Sequence, residues 1–256
     1  DIIEIQEYNA IGYYILQNKY INSEYLKYVP VVVHLHTPQF ALYSINKSIN
    51  YKLPDYWIGE MEKFCIKAAD ALLCPSQFLA DKLKSINNNV PIKVINLPFN
   101  LDDENNEKIE KDPKLFVYFG RTEYRKGVEQ LVESFERLWK QGYDCKLKII
   151  GGDVKFFPKN EYLGVLLANK YKDRIQQGVL KFQGNTPQKE LIKDIKAARA
   201  VVIPSLYENF PNTCIMSMWL GKPVIVSKQG GQAEMVCEDG KNGYIFDHTV
   251  SGELEQ

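Results

Sequence analysis

An excess of charge is missing from this chain. Lysine plus arginine and aspartate plus glutamate number 32 each, so the formal net charge is zero and the pI is near 7.0. This excludes the basic footprint of a nucleic-acid binder and gives no reason to expect a strongly anionic partner. Histidine is scarce, with three in 256 residues, and the five cysteines (Cys65, Cys74, Cys145, Cys214 and Cys237) are odd in number and form no Cys-x-x-Cys pair. They make neither a disulfide nor a zinc framework and read as reduced, mostly buried thiols of a cytosolic protein. No apolar run approaches the roughly 18 residues that a bilayer span requires. No signal-peptide pattern is read in these residues, and no internal repeat. The first residue is Asp1 in place of methionine, which reads as a cut start. What is present is ordinary globular material, 45% hydrophobic, enough for one good core or two smaller ones.

The pattern along the chain is alternating strand and helix, the signature of parallel sheets flanked by helices. Strands are expected at Val31–His36, Ala71–Cys74 and Ile92–Ile95. A helix with the apolar stripe Tyr56, Met61, Phe64, Cys65 and Ala68 is expected over 54–69, and another is capped by Ser76. Residues 101–113 (LDDENNEKIEKDP) are polar and charged with too little apolar material to pack, and read as a linker. A second alternating set follows. Its strands are Leu115–Phe119, Lys146–Ile150, Leu180–Phe182, Ala200–Ile203 and Val224–Val226. Its helices lie near 127–139, 161–171, 187–197 and 212–220. The expected domains are therefore 1–100, 101–113 as linker and 114–256.

Four strand ends carry chemistry-bearing residues. Gly120-Arg121-Thr122-Glu123-Tyr124-Arg125-Lys126-Gly127 stands between a strand and a helix, where Arg121 and Lys126 are placed to neutralise a diphosphate: arginine grips phosphate oxygens in bidentate fashion and lysine supplies a mobile point charge. The alternative is a solvated basic loop with glycine at both turns. Glu208 precedes Asn209-Phe210-Pro211-Asn212-Thr213-Cys214 at a helix start, where N–H groups favour anions. A carboxylate beside a phosphate cradle suits the neutral hydroxyls of a sugar, although an acid at a helix start and Asn212-Thr213 as a plain cap are the alternative. Gly230-Gly231 offers close backbone approach and positive φ, and Glu234 beside it reads as structural. The remaining strand end, His34-Leu35-His36, sends both imidazoles to one side by alternation. With His248 the only other histidine and no acidic or thiol cluster nearby, a metal site is not expected. His36, nearer the edge, reads either as a hydrogen-bonding group for substrate or as a satisfied structural histidine.

Together GRTEYRKG, IIGGD, KFQGNT, PSLYENFPNTC and LGKPVIVSKQGGQAE resemble the C-terminal half of a GT-B glycosyltransferase, most similar to family 4, the retaining nucleotide-sugar enzymes. VVVHLHTP and ADALLCPSQFLADKL carry a looser likeness in the N-terminal half. The resemblance implies two Rossmann-like parallel-sheet domains facing a cleft, the N-terminal one incomplete. It implies retaining transfer without a metal or a cofactor, and a nucleotide-diphosphate sugar, UDP or GDP, as donor substrate. Arg121 and Lys126 would neutralise the diphosphate, and Glu208 would touch the donor sugar as the first Glu of the family's E-x7-E motif. Asn212 and Thr213 would offer N–H groups, Gly231 would approach the sugar–phosphate, and His36 would meet the transferred sugar. The acceptor would be a glycan or a lipid-linked precursor of cell-surface polysaccharide. The site would lie in the cytoplasm or at the inner face of the membrane, with peripheral membrane association through a segment before Asp1.

Two departures stand out. The second Glu of E-x7-E falls on Met216, which cannot accept from a ribose hydroxyl, a loss of roughly 1–3 kcal/mol. The first βα unit and the closing helices of such an enzyme are also absent, so the chain reads as truncated at both ends, able to hold every donor-binding group and still be inactive. The rival reading is a non-catalytic nucleotide-sugar- or glycan-binding scaffold with a degenerate motif. A weaker rival is a phosphorylase or epimerase of the same fold, for which no lysine suited to a pyridoxal cofactor is evident.

Overall fold

The computed structural model describes residues 1–21, 24–49, 51–87, 89–101, 109–236 and 240–256. Two compact units divide at Pro98/Phe99. Of the expected linker, residues 102–108 lie outside the described residues, as does Cys237.

The first unit is a parallel sheet of four strands in simple sequence order, β1 (Ile3–Gln6), β2 (Val31–His34), β3 (Ala71–Cys74) and β4 (Ile92–Val94). Between them run α1 (Tyr13–Ile21), α2 (Gln39–Ile45), α3 (Asp55–Ala68) and α4 (Gln77–Leu83). β1, α1 and α2 have no counterpart in the sequence reading. β1 holds a single buried residue, Ile5, among exposed or half-buried neighbours, so its hydrophobic signal is weak. β2 is also shorter than expected: the chain leaves the sheet after His34, and Leu35 through Pro38 form the turn into α2. The α3 stripe differs too. Tyr56 is 40% exposed, and Gly59, Glu62, Cys65, Ile66 and Ala68 are the buried positions. Ser76 caps α4 as expected, its Oγ accepting from the Leu79 N–H at 3.2 Å.

In the second unit six parallel strands lie in the order β12-β11-β10-β5-β6-β9. They are β5 (Leu115–Phe119), β6 (Lys146–Ile150), β9 (Leu180–Gln183), β10 (Ala200–Ile203), β11 (Val224–Ser227) and β12 (Gly243–Phe246). A small antiparallel pair, β7 (Lys155–Phe156) and β8 (Glu161–Tyr162), precedes α6 (Leu163–Lys170), so the helix expected over 161–171 begins as a strand. The other helices are α5 (Val128–Lys140), α7 (Lys172–Gln176), α8 (Gln188–Ala197) and α9 (Asn212–Trp219).

Alternation along the strands splits the core of this unit into two layers. Val117, Phe119, Val201 and Ile203 pack with Ile192 and Ile195 of α8 and with Cys214 and Met216 of α9. Tyr118 and Val202 point the other way, into a layer with Leu131, Phe135 and Trp139 of α5 and Leu163 and Leu167 of α6. All four positions of β10 are buried. The strand order reverses between β5 and β10, because β6 and β9 lie to one side and β10, β11 and β12 to the other. At such a reversal two successive loops diverge and leave a crevice above the C-terminal strand ends.

Candidate functional site

The loops after β5 and β10 flank that reversal, and the loop after β11 adjoins them. The first is built as a tight hinge. Its 3-10 turn Tyr124–Lys126 ends at Gly127, whose φ of 69° lies in the left-handed region. A Cβ on Gly127 would stand 1.8 Å from the Pro204 carbonyl oxygen at the end of β10, so glycine is required there by conformation and by space. The Leu206 N–H donates to the Arg125 carbonyl at 2.8 Å, and Tyr118 Oη donates to the Arg121 carbonyl at 2.6 Å. The Gly231 N–H donates to the Glu208 carbonyl at 3.0 Å. All three loops are therefore tied by main-chain contacts.

Across these loops runs a chain of alternating charge. Arg121 Nη2 lies 3.3 Å from Glu123 Oε2, Arg125 Nη2 lies 2.5 Å from Glu123 Oε1, and Arg125 Nη1 lies 3.3 Å from Glu208 Oε2. Lys126 Nζ closes the chain on the same Glu208 oxygen. Arg125 Nη1 also donates to the Tyr207 carbonyl at 3.0 Å. Glu123, Arg125 and Glu208 are buried, whereas the Arg121 side chain is 61% exposed and that of Lys126 17%. Three cations against two carboxylates leave one positive charge uncompensated, and the cations nearest solvent are Arg121 and Lys126. Burial alone would push the Glu208 carboxyl up, but Lys126 and Arg125 outweigh it and hold it below its ordinary value. The site therefore offers a buried, ionised carboxylate flanked by cations at a strand-end crevice.

The structure thus brings Arg121, Lys126, Glu208 and Gly231 together. Asn212 and Thr213 open α9 behind Pro211, with no side-chain cap; among the described residues nothing accepts from their N–H groups. Gly230 corrects the expectation of positive φ: its φ of 174° is extended backbone. Space is what restricts it, since a Cβ there would meet the buried Gln232 Oε1 at 2.2 Å. Gln232 in turn donates through Nε2 to the Ser227 carbonyl at 3.0 Å and to Ser227 Oγ at 2.7 Å, pinning the turn below Glu208. Met216 is 9% exposed and belongs to the apolar layer of Ile203, Cys214 and Val226.

Sequence reasoning missed Glu123 and Arg125 as parts of this arrangement. Arg125 beside Lys126 reads as one more loop cation, and its partner lies 83 residues away. Alternation of sign in Arg-x-Glu-x-Arg was the available signal.

His36 belongs to the first unit, in the turn after β2. Its side chain is 38% exposed, and Nδ1 lies 3.4 Å from Oε2 of the fully buried Glu7. As alternation expects, His34 and His36 share a side, with ring centroids 4.9 Å apart. Among the described residues no group of three or more His, Cys, Asp or Glu is arranged to hold a metal ion, and no helix is long and apolar enough to cross a membrane.

Residues 100–255 match the family described as glycosyl transferases group 1. An uncharacterized glycosyltransferase of Methanocaldococcus jannaschii is 30% identical over 171 residues, which cover 65% of this chain and 41% of that protein. Among solved structures, sucrose-phosphate synthase from Thermosynechococcus elongatus superposes with a TM-score of 0.74 at 19% identity, over 99% of this chain and 62% of that one. Anabaena HepE in complex with UDP gives 0.65 at 18% identity, over 99% and 66%. The likeness to these structures is one of fold, and the fold is the GT-B α/β type with parallel sheets. The chain spans less than half the length of the M. jannaschii relative.

Proposed function

The chain belongs to the group 1 glycosyl transferases, and on that premise we propose that it serves retaining, metal-independent transfer of a sugar from a nucleotide-diphosphate sugar to a glycan or lipid-linked acceptor of cell-surface polysaccharide synthesis, on the cytoplasmic side of the membrane. The acceptor class rests on family resemblance. The observation that carries the donor assignment is the charge chain from Arg121 to Lys126 at the strand-order reversal. Without donor, Lys126 is held by Glu208. A diphosphate arriving beside Arg121 competes for that ammonium. When Lys126 swings to the phosphates, Glu208 keeps the buried Arg125 as counter-ion, so the exchange leaves no unpaired buried charge, which would otherwise cost several kcal/mol.

Glu208, relieved of one cation, accepts from the sugar hydroxyls. The N–H groups of Asn212 and Thr213 and the close backbone at Gly231 add fixed dipoles at the phosphates. Catalysis is then electrostatic: Arg121 and Lys126 stabilise the departing diphosphate as its charge grows, and His36 is assigned the contact with the transferred sugar. No protein nucleophile takes part in this scheme.

Thermal shift with UDP, GDP, ADP, CMP and dTDP, run beside Lys126→Ala, tests the reading on the chain itself. UDP is tried first, because the Anabaena neighbour holds it. A nucleotide at a hundredfold over its Kd adds about 2.7 kcal/mol, a shift of roughly several degrees. The expected result is a shift with one diphosphate, lost in Lys126→Ala. No shift with any nucleotide overturns the donor site. A shift from a protein that neither transfers nor hydrolyses donor favours the scaffold reading.

A further inference from the structure

A second cluster of buried ionisable groups lies in the first unit, outside the charge chain described above. Glu7, immediately after β1, and Glu62, on α3, are both fully buried. Where β1 and β2 part, Glu7 continues their ladder. Its N–H donates to the His34 carbonyl at 3.2 Å, and its Oε1 accepts from the His36 N–H at 2.6 Å. One carboxylate oxygen is thereby used to satisfy backbone. Its other oxygen, Oε2, is buried and makes no hydrogen bond of normal geometry; the group it faces is His36 Nδ1, at 3.4 Å. A buried carboxylate oxygen without a bond is costly, and the imidazole is the group placed to offset that cost.

Glu62 sits behind this pair. Its Oε1 accepts from the Asn9 N–H at 3.1 Å and its Oε2 from the Phe40 N–H at 3.2 Å. Burial, with a smaller push from Glu7, raises its carboxyl to about 7. Further ionisable neighbours among the described residues are Glu4 on β1 and His34 on β2, whose Oε1 and Nδ1 are 3.4 Å apart, and the buried Cys65 thiol on α3, which burial and Glu62 push up to about 12. Tyr43 on α2 is pushed up by burial, with smaller contributions from Asp55 on α3 and from Tyr8.

We propose that Glu7 is the positioning residue of His36: Oε1 fixes the backbone, Oε2 keeps the proton on Nδ1, and Nε2 is thereby the nitrogen presented to the sugar. The proposal rests on the assignment of His36 to the transferred sugar. A histidine's reactive nitrogen is set by the bond its other nitrogen makes. The side-chain contact with Glu7, with a smaller contribution from the His34 backbone carbonyl, raises His36 above its ordinary value against the effect of burial, which agrees with a proton held on the side of Glu7.

Imidazole 15N NMR of the chain, with His36 assigned through His36→Asn, tests this directly. The expected result is the Nδ1–H tautomer for neutral His36 and a titration midpoint that falls by about half a unit or more in Glu7→Gln, a several-fold loss of proton affinity. His248, in the second unit, is the control. An Nε2–H tautomer, or a midpoint unmoved by Glu7→Gln, overturns the proposal; the tautomer is read on the unmodified chain and decides the matter even if Glu7→Gln does not fold. In a transfer assay Glu7→Gln should lower kcat by roughly tenfold or more with the donor KM within about twofold, as expected for lost orientation, and Glu7→Asp should recover part of it. If His36→Asn transfers normally while the tautomer is as expected, the role assigned to His36 fails and the pairing with Glu7 stands.

Discussion

The two parallel sheets bury themselves differently. In the second unit both faces carry helices, every position of β10 is buried, and each apolar layer runs unbroken from strand to helix. In the first unit β2 buries Val31 and Val33 fully and leaves Val32 and His34 half-buried, and β3 does the same with Leu72 and Cys74 against Ala71 and Leu73. The less buried face, with Ile2, Val32, Leu73 and Ile92, lines a shallow depression of about 320 Å³. Parallel sheets are ordinarily covered on both faces. The contrast extends to charge. The second unit holds its buried ions as a continuous chain of opposite signs, whereas the first buries two carboxylates, Glu7 and Glu62, with main-chain N–H groups as their principal partners. Ion pairing of that kind can be exchanged with a ligand. Main-chain pairing holds a single arrangement.

The largest effect that would sharpen this comparison is expected from Arg125→Met. It leaves the buried Glu123 with only the exposed Arg121 and Glu208 with only Lys126, and should cost about 3 kcal/mol, read as loss of hydrogen-exchange protection confined to 99–256. The counterpart in the first unit, Lys19→Met, breaks a 2.5 Å pair whose Asp70 partner is 41% exposed, and should cost about 1 kcal/mol or less. Equal costs would break the contrast in how the units hold charge.

Next comes the apolar side. Leu131 is fully buried in the α5 layer, and Leu131→Ala should cost about 2–5 kcal/mol. Leu73→Ala on the less buried face should cost about 1 kcal/mol. Chemical denaturation followed by exchange mass spectrometry separates the units. A Leu73→Ala cost matching that of Leu131→Ala would mean that the face of β3 is covered in solution.

Glu62 supplies a pH test within the first unit. Its carboxyl is raised from 4.5 to about 7, so the folded state holds a proton that the unfolded chain releases. The stabilisation is complete below about 4.5 and is lost as pH rises to about 7, on the order of 3 kcal/mol at most. His36, also raised, acts in the same sense near neutrality, and His248, lowered by burial, acts in the opposite one. The difference between Glu62→Gln and the parent isolates the carboxyl: the variant's midpoint temperature should fall less between pH 5 and 8. Parallel curves would place the Glu62 titration elsewhere.

Much of this is written in the sequence, and what is not has physical causes. Five of the strands of 114–256 were legible because each is closed by glycine, proline or serine, and Arg121, Lys126 and Glu208 stood out at the ends of such runs; β7, β8 and β12, with two to four residues and mostly exposed or half-buried positions, were not. Glu62 was not, because a glutamate on an amphipathic helix reads as surface; its spacing from Gly59, Cys65 and Ile66 places it on the buried stripe. Glu7 was hidden by the weak pattern of β1. The pairing of Arg125 with Glu208 joins residues 83 apart, and such a contact is set by strand order, which no local pattern encodes.

Met216 brings the smallest effect and decides what the broken motif means. Read as a lost ribose contact, position 216 should welcome a carboxylate, and Met216→Glu should tighten the nucleotide by roughly ten- to a hundredfold. Its surroundings argue otherwise. Met216 is 9% exposed within the layer of Ile203, Cys214 and Val226, where a carboxylate finds apolar neighbours and pays desolvation. A flexible thioether fills such a gap well. Met216→Leu conserves volume and should cost under about 1.5 kcal/mol while leaving the nucleotide-induced thermal shift unchanged. Met216→Glu should lower stability without tightening the nucleotide. Tighter binding in Met216→Glu at undiminished stability would show that the position opens onto the ligand and that the first reading of the motif was right.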